Sequence, residues 1–272
     1  MKTRATANTI EIVRLEAGER QLGVQDEVAV EEPLEIRIEG YPVAVVMRTP
    51  GHDRELAAGF VLTEGIVRES KEIFEITSCL TTDGTSDNVV SIVLTDPERF
   101  DAAKLSRHIF SSSSCGICSK ATIETAMLQF PPIETGPTID SQVILQLPGK
   151  LAAAQETFKR TGGLHACALF DTSGELLLLR EDVGRHNALD KLIGHQLLAK
   201  RLPLDECVLL LSGRVSFELT QKALAAGLAI IAAISAPSSL AVEFAQANNQ
   251  TLIGFVRGES MNIYAGGERI RP

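Results

Sequence analysis

Two thiols close together in a polar loop are the sharpest chemical signal in this chain. Cys115 and Cys118 lie in the run Ser111-Ser112-Ser113-Ser114-Cys115-Gly116-Ile117-Cys118-Ser119, which leads into a segment of helical character from Lys120 to Gln129. The amides at a helix start favour a thiolate over a thiol, and the thiolate is the nucleophile. The spacing fits a reactive thiol, half of a zinc site or a redox pair. A closed zinc site needs about four ligands, and no second Cys-x-x-Cys is present, so no bound metal is expected. A thioredoxin-type pair follows the first strand of a compact βαβ unit, whereas here a mixed set of strands precedes it. His165-Ala166-Cys167 places a cysteine where a zinc deaminase carries its glutamate after His-x, and the Cys pair lies upstream of the histidine, so deaminase chemistry lacks its proton shuttle.

A second concentration of chemistry is Glu181-Asp182-Val183-Gly184-Arg185-His186-Asn187 at a strand-to-helix junction. It reads equally well as a binding site and as a helix start that Asp182 helps to cap. His165 is likewise either a polar group near a site or a structural histidine. Cys79, Cys167 and Cys207 stand singly in apolar surroundings and read as small buried hydrophobes.

The elements that must position these groups follow from periodicity and breakers. Glu35 to Ile38 and Val43 to Met47 form a hairpin about Gly40, a helix fits Asp53 to Glu64 with Gly65 as its stop, and strands fit Ile73 to Ile76 and Val89 to Leu94. The cluster Pro131 to Pro137 marks a domain boundary, giving units 1–135 and 136–272. Beyond it, Asp140 to Arg160 reads as helix interrupted at Pro148-Gly149. A hairpin joins His165 to Phe170 with Glu175 to Leu179, and an amphipathic helix runs from His186 to Lys200. Apolar runs Cys207 to Leu211, Leu228 to Ile234 and Thr251 to Val256 then alternate with helices Ser216 to Ala226 and Ser238 to Ala247. That order implies parallel βαβαβ units buried on both faces. The fold class is therefore α/β, with an N-terminal α+β roll and a C-terminal α/β domain. Ligands of such sheets sit beyond the carboxyl ends of the strands. Here those ends bring Ser212, Gly213, Arg214, Ser235, Arg257, Gly258 and Ser260 to one rim, a composition suited to phosphate.

Composition narrows the classes of function. The chain has 272 residues, 44% hydrophobic and 22% charged, enough apolar surface for a sizeable core. A net charge of −9 and a pI near 5.2 oppose phosphate-backbone binding, and no Trp with 4% aromatics offers few stacking platforms, so nucleic acid is not an expected partner. No apolar run reaches membrane-spanning length, and no apolar segment follows the basic start, which places the chain in the cytoplasm.

Several segments together resemble a known family. They are Glu31-Glu32-Pro33-Leu34, Ala58-Gly59-Phe60-Val61-Leu62-Thr63-Glu64-Gly65, Cys115-Gly116-Ile117-Cys118, Gly163-Leu164-His165-Ala166, Glu181 through Lys191, Ser212-Gly213-Arg214 and Leu252-Ile253-Gly254-Phe255. From about Glu31 to Tyr264 the chain is similar to the formate dehydrogenase accessory sulfurtransferase family, FdhD. The resemblance implies a sulfur carrier that takes sulfur from a cysteine desulfurase as a persulfide on Cys115. It delivers that sulfur to the molybdenum cofactor, Mo-bis(molybdopterin guanine dinucleotide), before the cofactor enters formate dehydrogenase. It further implies a homodimer, a cytidine-deaminase-like second domain with a mixed sheet, and a cofactor-binding segment on Phe255, Val256, Arg257, Gly258, Glu259 and Ser260. Guanosine diphosphate (GDP) is then the expected surrogate ligand. Glu259 departs from this pattern, since it sets an acid where an anion approaches. Cys118 would assist Cys115 or release sulfide by closing a disulfide. The alternative is a noncatalytic cofactor- or nucleotide-binding chaperone whose Cys pair binds zinc or cycles redox state.

Overall fold

The computed structural model describes residues 4–80, 86–100 and 130–272. Cys115, Cys118 and the segment 120–129 lie outside the described residues. Strands β1 (Ala7–Glu16) and β2 (Glu19–Ala29) form an antiparallel ribbon. Its two-residue turn, Ala17-Gly18, has positive φ at both positions, which matches the right-handed twist of a hairpin. The ribbon rests on the short helix α3 (Glu156–Thr161) through the Arg160–Glu27 ion pair.

A four-stranded sheet follows, in the order β4-β3-β6-β5. Its members are β3 (Glu32–Ile38), β4 (Tyr41–Arg48), β5 (Ile73–Leu80) and β6 (Ser86–Leu94), with α1 (Asp53–Thr63) connecting β4 to β5. Alternation in β3 buries Leu34, Ile36 and Ile38 on one face.

The larger sheet has six strands in the order β13-β12-β11-β10-β8-β9. β8 (His165–Phe170) and β9 (Leu176–Asp182) are a hairpin, and β8 lies antiparallel to β10 (Val208–Leu211). β10, β11 (Ile230–Ala233) and β12 (Thr251–Arg257) pair in parallel, and β13 (Ser260–Ala265) turns back along β12. The helices are α4 (Arg185–Leu198) after β9, α5 (Phe217–Ala225) after β10 and α6 (Ser239–Ala247) after β11. Both faces are buried: Cys167, Leu169, Leu209 and Leu211 join one core, while Ala168, Phe170, Val208 and Leu210 join another against Ile144, Leu147 and Leu151 of α2 (Ser141–Ala154). Such strands must be apolar at successive positions, which is why they read as continuous runs. A short parallel pair, β7 (Ile139–Asp140) with β14 (Ile270–Arg271), completes the set.

The first core also takes in α1 and the four-stranded sheet, so buried side chains on both sides of residue 135 form one cluster. α1 crosses α4 at two glycines. A Cβ on Gly59 would lie 1.9 Å from the Asp190 carbonyl oxygen, and one on Gly194 would lie 1.8 Å from that of Glu55. Both obstacles are backbone, so Gly194→Ala forces the helices apart and is expected to cost about 1–3 kcal/mol or more by overpacking. Urea denaturation checks this, and an unchanged midpoint would contradict the crossing.

Two expectations are corrected. Pro148-Gly149 does not interrupt the helix: α2 runs through Pro148 to Ala154, and the break falls at Gln155. Burial of Ile144, Leu147 and Leu151 along one face outweighs the roughly 3 kcal/mol that an interior proline costs. Ser260, read as loop, is the first residue of β13, because the chain after Gly258 returns directly along β12.

Candidate functional site

Because β8 is antiparallel to β10, its start lies beside the ends of the parallel strands. His165 therefore pairs with Asp182 at the end of β9 and sits next to the loop after β10. This corner gathers the Gly184-Arg185-His186 motif with Ser212, Gly213 and Arg214. The Ser212 Oγ accepts from the Ala166 N–H at 2.9 Å, and a Cβ on Gly213 would lie 3.1 Å from His165 Nδ1, so a larger residue would press on the ring. The loops after β10 and β11 are tied together by Val215 N–H to the Ala236 carbonyl and Ser238 N–H to the Val215 carbonyl.

On the far side of the rim, Phe255 sits in the left-handed region at φ 52°, with its N–H bonded to the Ser235 carbonyl at 3.2 Å. The bulge there lets Arg257 fold over the Phe255 ring, 5.5 Å from its centroid, while its Nε donates to the Ile234 carbonyl at 2.9 Å. Gly254 is required by close approach, since a Cβ would lie 2.9 Å from Pro237 Cδ. Gly258, Glu259 and Ser260 are exposed, whereas Val256 is fully buried, so its side chain faces the core and only its backbone can face a ligand.

Asp182 organises the opposite corner. Its Oδ1 accepts from Gly184 N–H at 2.8 Å and Asn187 Nδ2 at 3.0 Å, and its Oδ2 from Thr49 N–H at 3.1 Å and Lys191 Nζ at 2.7 Å. Lys191 also donates to the Thr49 carbonyl, and Asn187 to that of Met47. The motif read as either cap or ligand site thus clamps the β4–α1 connection to the rim and presents Arg185 and His186 at its edge. Arg185 and His165 also stand on the rim, although the strand ends had assigned Arg214 and Arg257 there and not these two. The signal for them was the charge beside glycine at the strand-to-helix junction.

Burial lowers the His186 pKa to about 4, helped by Lys222, Arg185 and His165 and opposed by Glu218, whose carboxylate is 3.4 Å from Nε2. Ser216 Oγ lies 3.3 Å from the same nitrogen. The unfolded chain binds this proton near the ordinary 6.5 and the folded chain does not. Stability is therefore full above 6.5 and falls as pH drops toward 4, by on the order of 3 kcal/mol. Thermal melts of His186→Gln should lose this part of the acid sensitivity, and an identical pH profile would refute the assignment.

The thiols of Cys167 and Cys207 are poor nucleophiles. Burial pushes the Cys167 thiol far above its ordinary range and that of Cys207 up to about 11. Among the described residues no three His, Cys, Asp or Glu side chains cluster to hold a metal ion, and no helix is long and apolar enough to cross a membrane.

The arrangement defines an α/β protein whose parallel strands end in a basic, glycine-lined rim. The chain belongs to the FdhD/NarQ family, whose model matches residues 29–271. It is 48% identical over 251 residues to the sulfur carrier protein FdhD of Streptomyces coelicolor, covering 90% of this chain and 89% of that one. It is 44% identical over 248 residues to the protein of the same name from Sulfurisphaera tokodaii, covering 90% and 92%. A crystal structure described as a formate dehydrogenase accessory protein from Desulfotalea psychrophila superposes with a TM-score of 0.76 at 24% identity, over 98% of this chain and 100% of that one. That likeness establishes the shared fold.

Proposed function

We propose that this protein is a sulfur carrier serving formate dehydrogenase, loaded by a cysteine desulfurase and unloading onto the molybdenum cofactor. The observation that carries the reading is a family match along 29–271, a span that includes Cys115-x-x-Cys118, to relatives named as sulfur carriers. The Cys115 thiolate attacks the outer sulfur of the desulfurase persulfide, the desulfurase thiolate leaves, and Cys115 carries the persulfide. Attack of Cys118 on Cys115 then closes a disulfide and expels hydrosulfide, so the sulfur is delivered reduced and the two cysteines supply both electrons.

The substrate, Mo-bis(molybdopterin guanine dinucleotide), would lie on the rim, with Phe255, Arg257, Gly258, Glu259, Ser260 and the backbone of Val256 on one side and Ser212, Gly213, Arg214 and Ser235 on the other. Two features of the residues present fit an anionic group: the Arg185 Nε is buried without a hydrogen-bond partner among the described residues, and the glycines let backbone approach. A cytidine-deaminase-like second unit over 136–272, a homodimer and a cytoplasmic setting belong to the same reading.

The test is intact-mass analysis of the full chain after incubation with a cysteine desulfurase and cysteine. Added sulfur that is lost on reduction is expected. No added sulfur, together with stoichiometric zinc resistant to chelation, would replace this function with the chaperone reading.

A further inference from the structure

Cys115 stands midway in sequence between Phe100 and Phe130, so the positions of these two residues fix the side of the molecule to which its thiol is tethered. Phe100 lies at the end of the four-stranded sheet where β4 begins, its ring 6.1 Å from that of Tyr41. The chain before it is tied to the loop after α1: Thr95 N–H donates to the Glu72 carbonyl at 2.9 Å, and Thr95 Oγ1 to that of Lys71 at 2.7 Å. The same loop is one wall of a cleft of about 580 Å³, whose other walls are Phe130 to Thr135, the end of α4 and the end of α5. It also borders a second hollow of about 370 Å³ beside Leu94 and Thr95. Both tethers of the cysteine segment thus come to one loop, Ile66 to Glu72, and a hollow adjoins each.

The larger cleft has an apolar floor, with Leu197 and Leu224 buried and Phe130 half-buried. Pro131 and Pro132 stand exposed beside it, and their stiff backbone has little freedom to lose on contact. Charge is kept to the edge. Arg68 and Lys200 are exposed there without an ion-pair partner among the described residues, alongside Glu134 and Asp205. An apolar centre within an edge of both signs is the anatomy of a protein contact. α4 and α5 start beside the rim at Arg185 and Phe217 and end in the cleft. A protein that collects a ligand from the rim has no need of this surface, whereas one that hands sulfur to Cys115 approaches the side from which that residue is tethered.

We propose that the cleft, together with the loop Ile66 to Glu72, is the docking surface for the protein sulfur donor, the cysteine desulfurase, which seats apolar side chains among Phe130, Leu197 and Leu224 while its persulfide meets Cys115. This rests on the carrier reading. A small donor needs no docking surface, so two donors separate docking from thiol chemistry. Initial rates of sulfur loading onto the full chain are read by intact mass, from a cysteine desulfurase with cysteine in one arm and from glutathione persulfide in the other. In the second arm the Cys115 thiolate takes the outer sulfur and the glutathione thiolate leaves. Ala225→Arg fills the cleft from the end of α5 and should lower the first rate about tenfold or more by raising the half-saturating concentration of the carrier. Arg68→Glu reverses a charge at the edge and should lower it about threefold or more. Neither should change the second rate by more than about twofold. If Ala225→Arg melts early, Arg68→Glu/Lys200→Glu is read in its place, since both side chains are exposed and dispensable for folding. Folded variants that load from the desulfurase at the parent rate overturn this surface, leave the cleft to another occupant and leave the carrier reading standing. An equal fall in both arms places the effect on the thiol and overturns the surface too. A parent chain that takes no sulfur from the desulfurase overturns the carrier reading and the docking surface with it.

Discussion

Cys115→Ala is expected to abolish persulfide loading and with it all support of formate dehydrogenase, whereas Cys118→Ala should still load sulfur and release it slowly. Loading needs a thiolate, and neither Cys167 nor Cys207 can substitute. Cys167 is buried among apolar side chains and its thiol is pushed far above the ordinary range. Cys207, pushed up to about 11 by burial, is ionised near pH 7 in on the order of one molecule in ten thousand. Against this, the sequence around Cys115, rich in serine and glycine, leads to the expectation of a thiol that ionises readily. The loss should therefore be complete rather than partial. Intact mass before and after reduction reads it for each variant, with Cys79→Ala as a further control. Equal loading of Cys115→Ala and the parent chain would defeat the carrier mechanism.

What the chain revealed before any coordinates depended on whether the deciding physics was local. β10, β11 and β12 lie within two residues of the apolar runs that announce them, because a strand covered on both faces has no polar positions to blur it. Their ends then placed Ser212, Gly213 and Arg214 on the rim without further information. The β1–β2 ribbon went unread for the opposite reason. Leu15 and Leu22 are each 73% exposed, so no core face imprints an alternation. Arg185 was ambiguous because its availability depends on where Asp182 spends its oxygens, and one of those bonds reaches Thr49, 133 residues away. The helix through Pro148 likewise depends on packing against a sheet formed much later in the chain.

Lys222→Met should be among the most destabilising single changes outside the thiol loop, at about 3–5 kcal/mol, because it strands a buried carboxylate. Lys222 Nζ, on a side chain only 4% exposed, bonds Asp190 Oδ2 at 2.9 Å and Oδ1 at 3.1 Å, and Thr63 Oγ1 at 2.8 Å. Thr63 in turn donates to Asp190 at 2.9 Å, so α1, α4 and α5 meet at this one group. Burial raises the Asp190 pKa to about 6, still below neutrality. Burial opposes the charge of Lys222, but Asp190, Glu64 and Glu218 outweigh it and hold its pKa above the ordinary value, so the pair is ionic at pH 7. Without the ammonium, Asp190 keeps one hydroxyl donor and its pKa rises further. A folded-state pKa above the unfolded one gives stability at low pH that is lost as pH rises, so the deficit of Lys222→Met should shrink as pH falls from 7 toward 5. Removing both charges in Asp190→Leu/Lys222→Met should recover most of the loss, since a matched apolar pair carries no desolvation cost. Urea denaturation of the three variants at pH 7 and pH 5 decides it. A Lys222→Met cost below about 1 kcal/mol, or a double variant as unstable as the single, would mean that the helices are held by their apolar faces and the Gly59–Gly194 crossing alone.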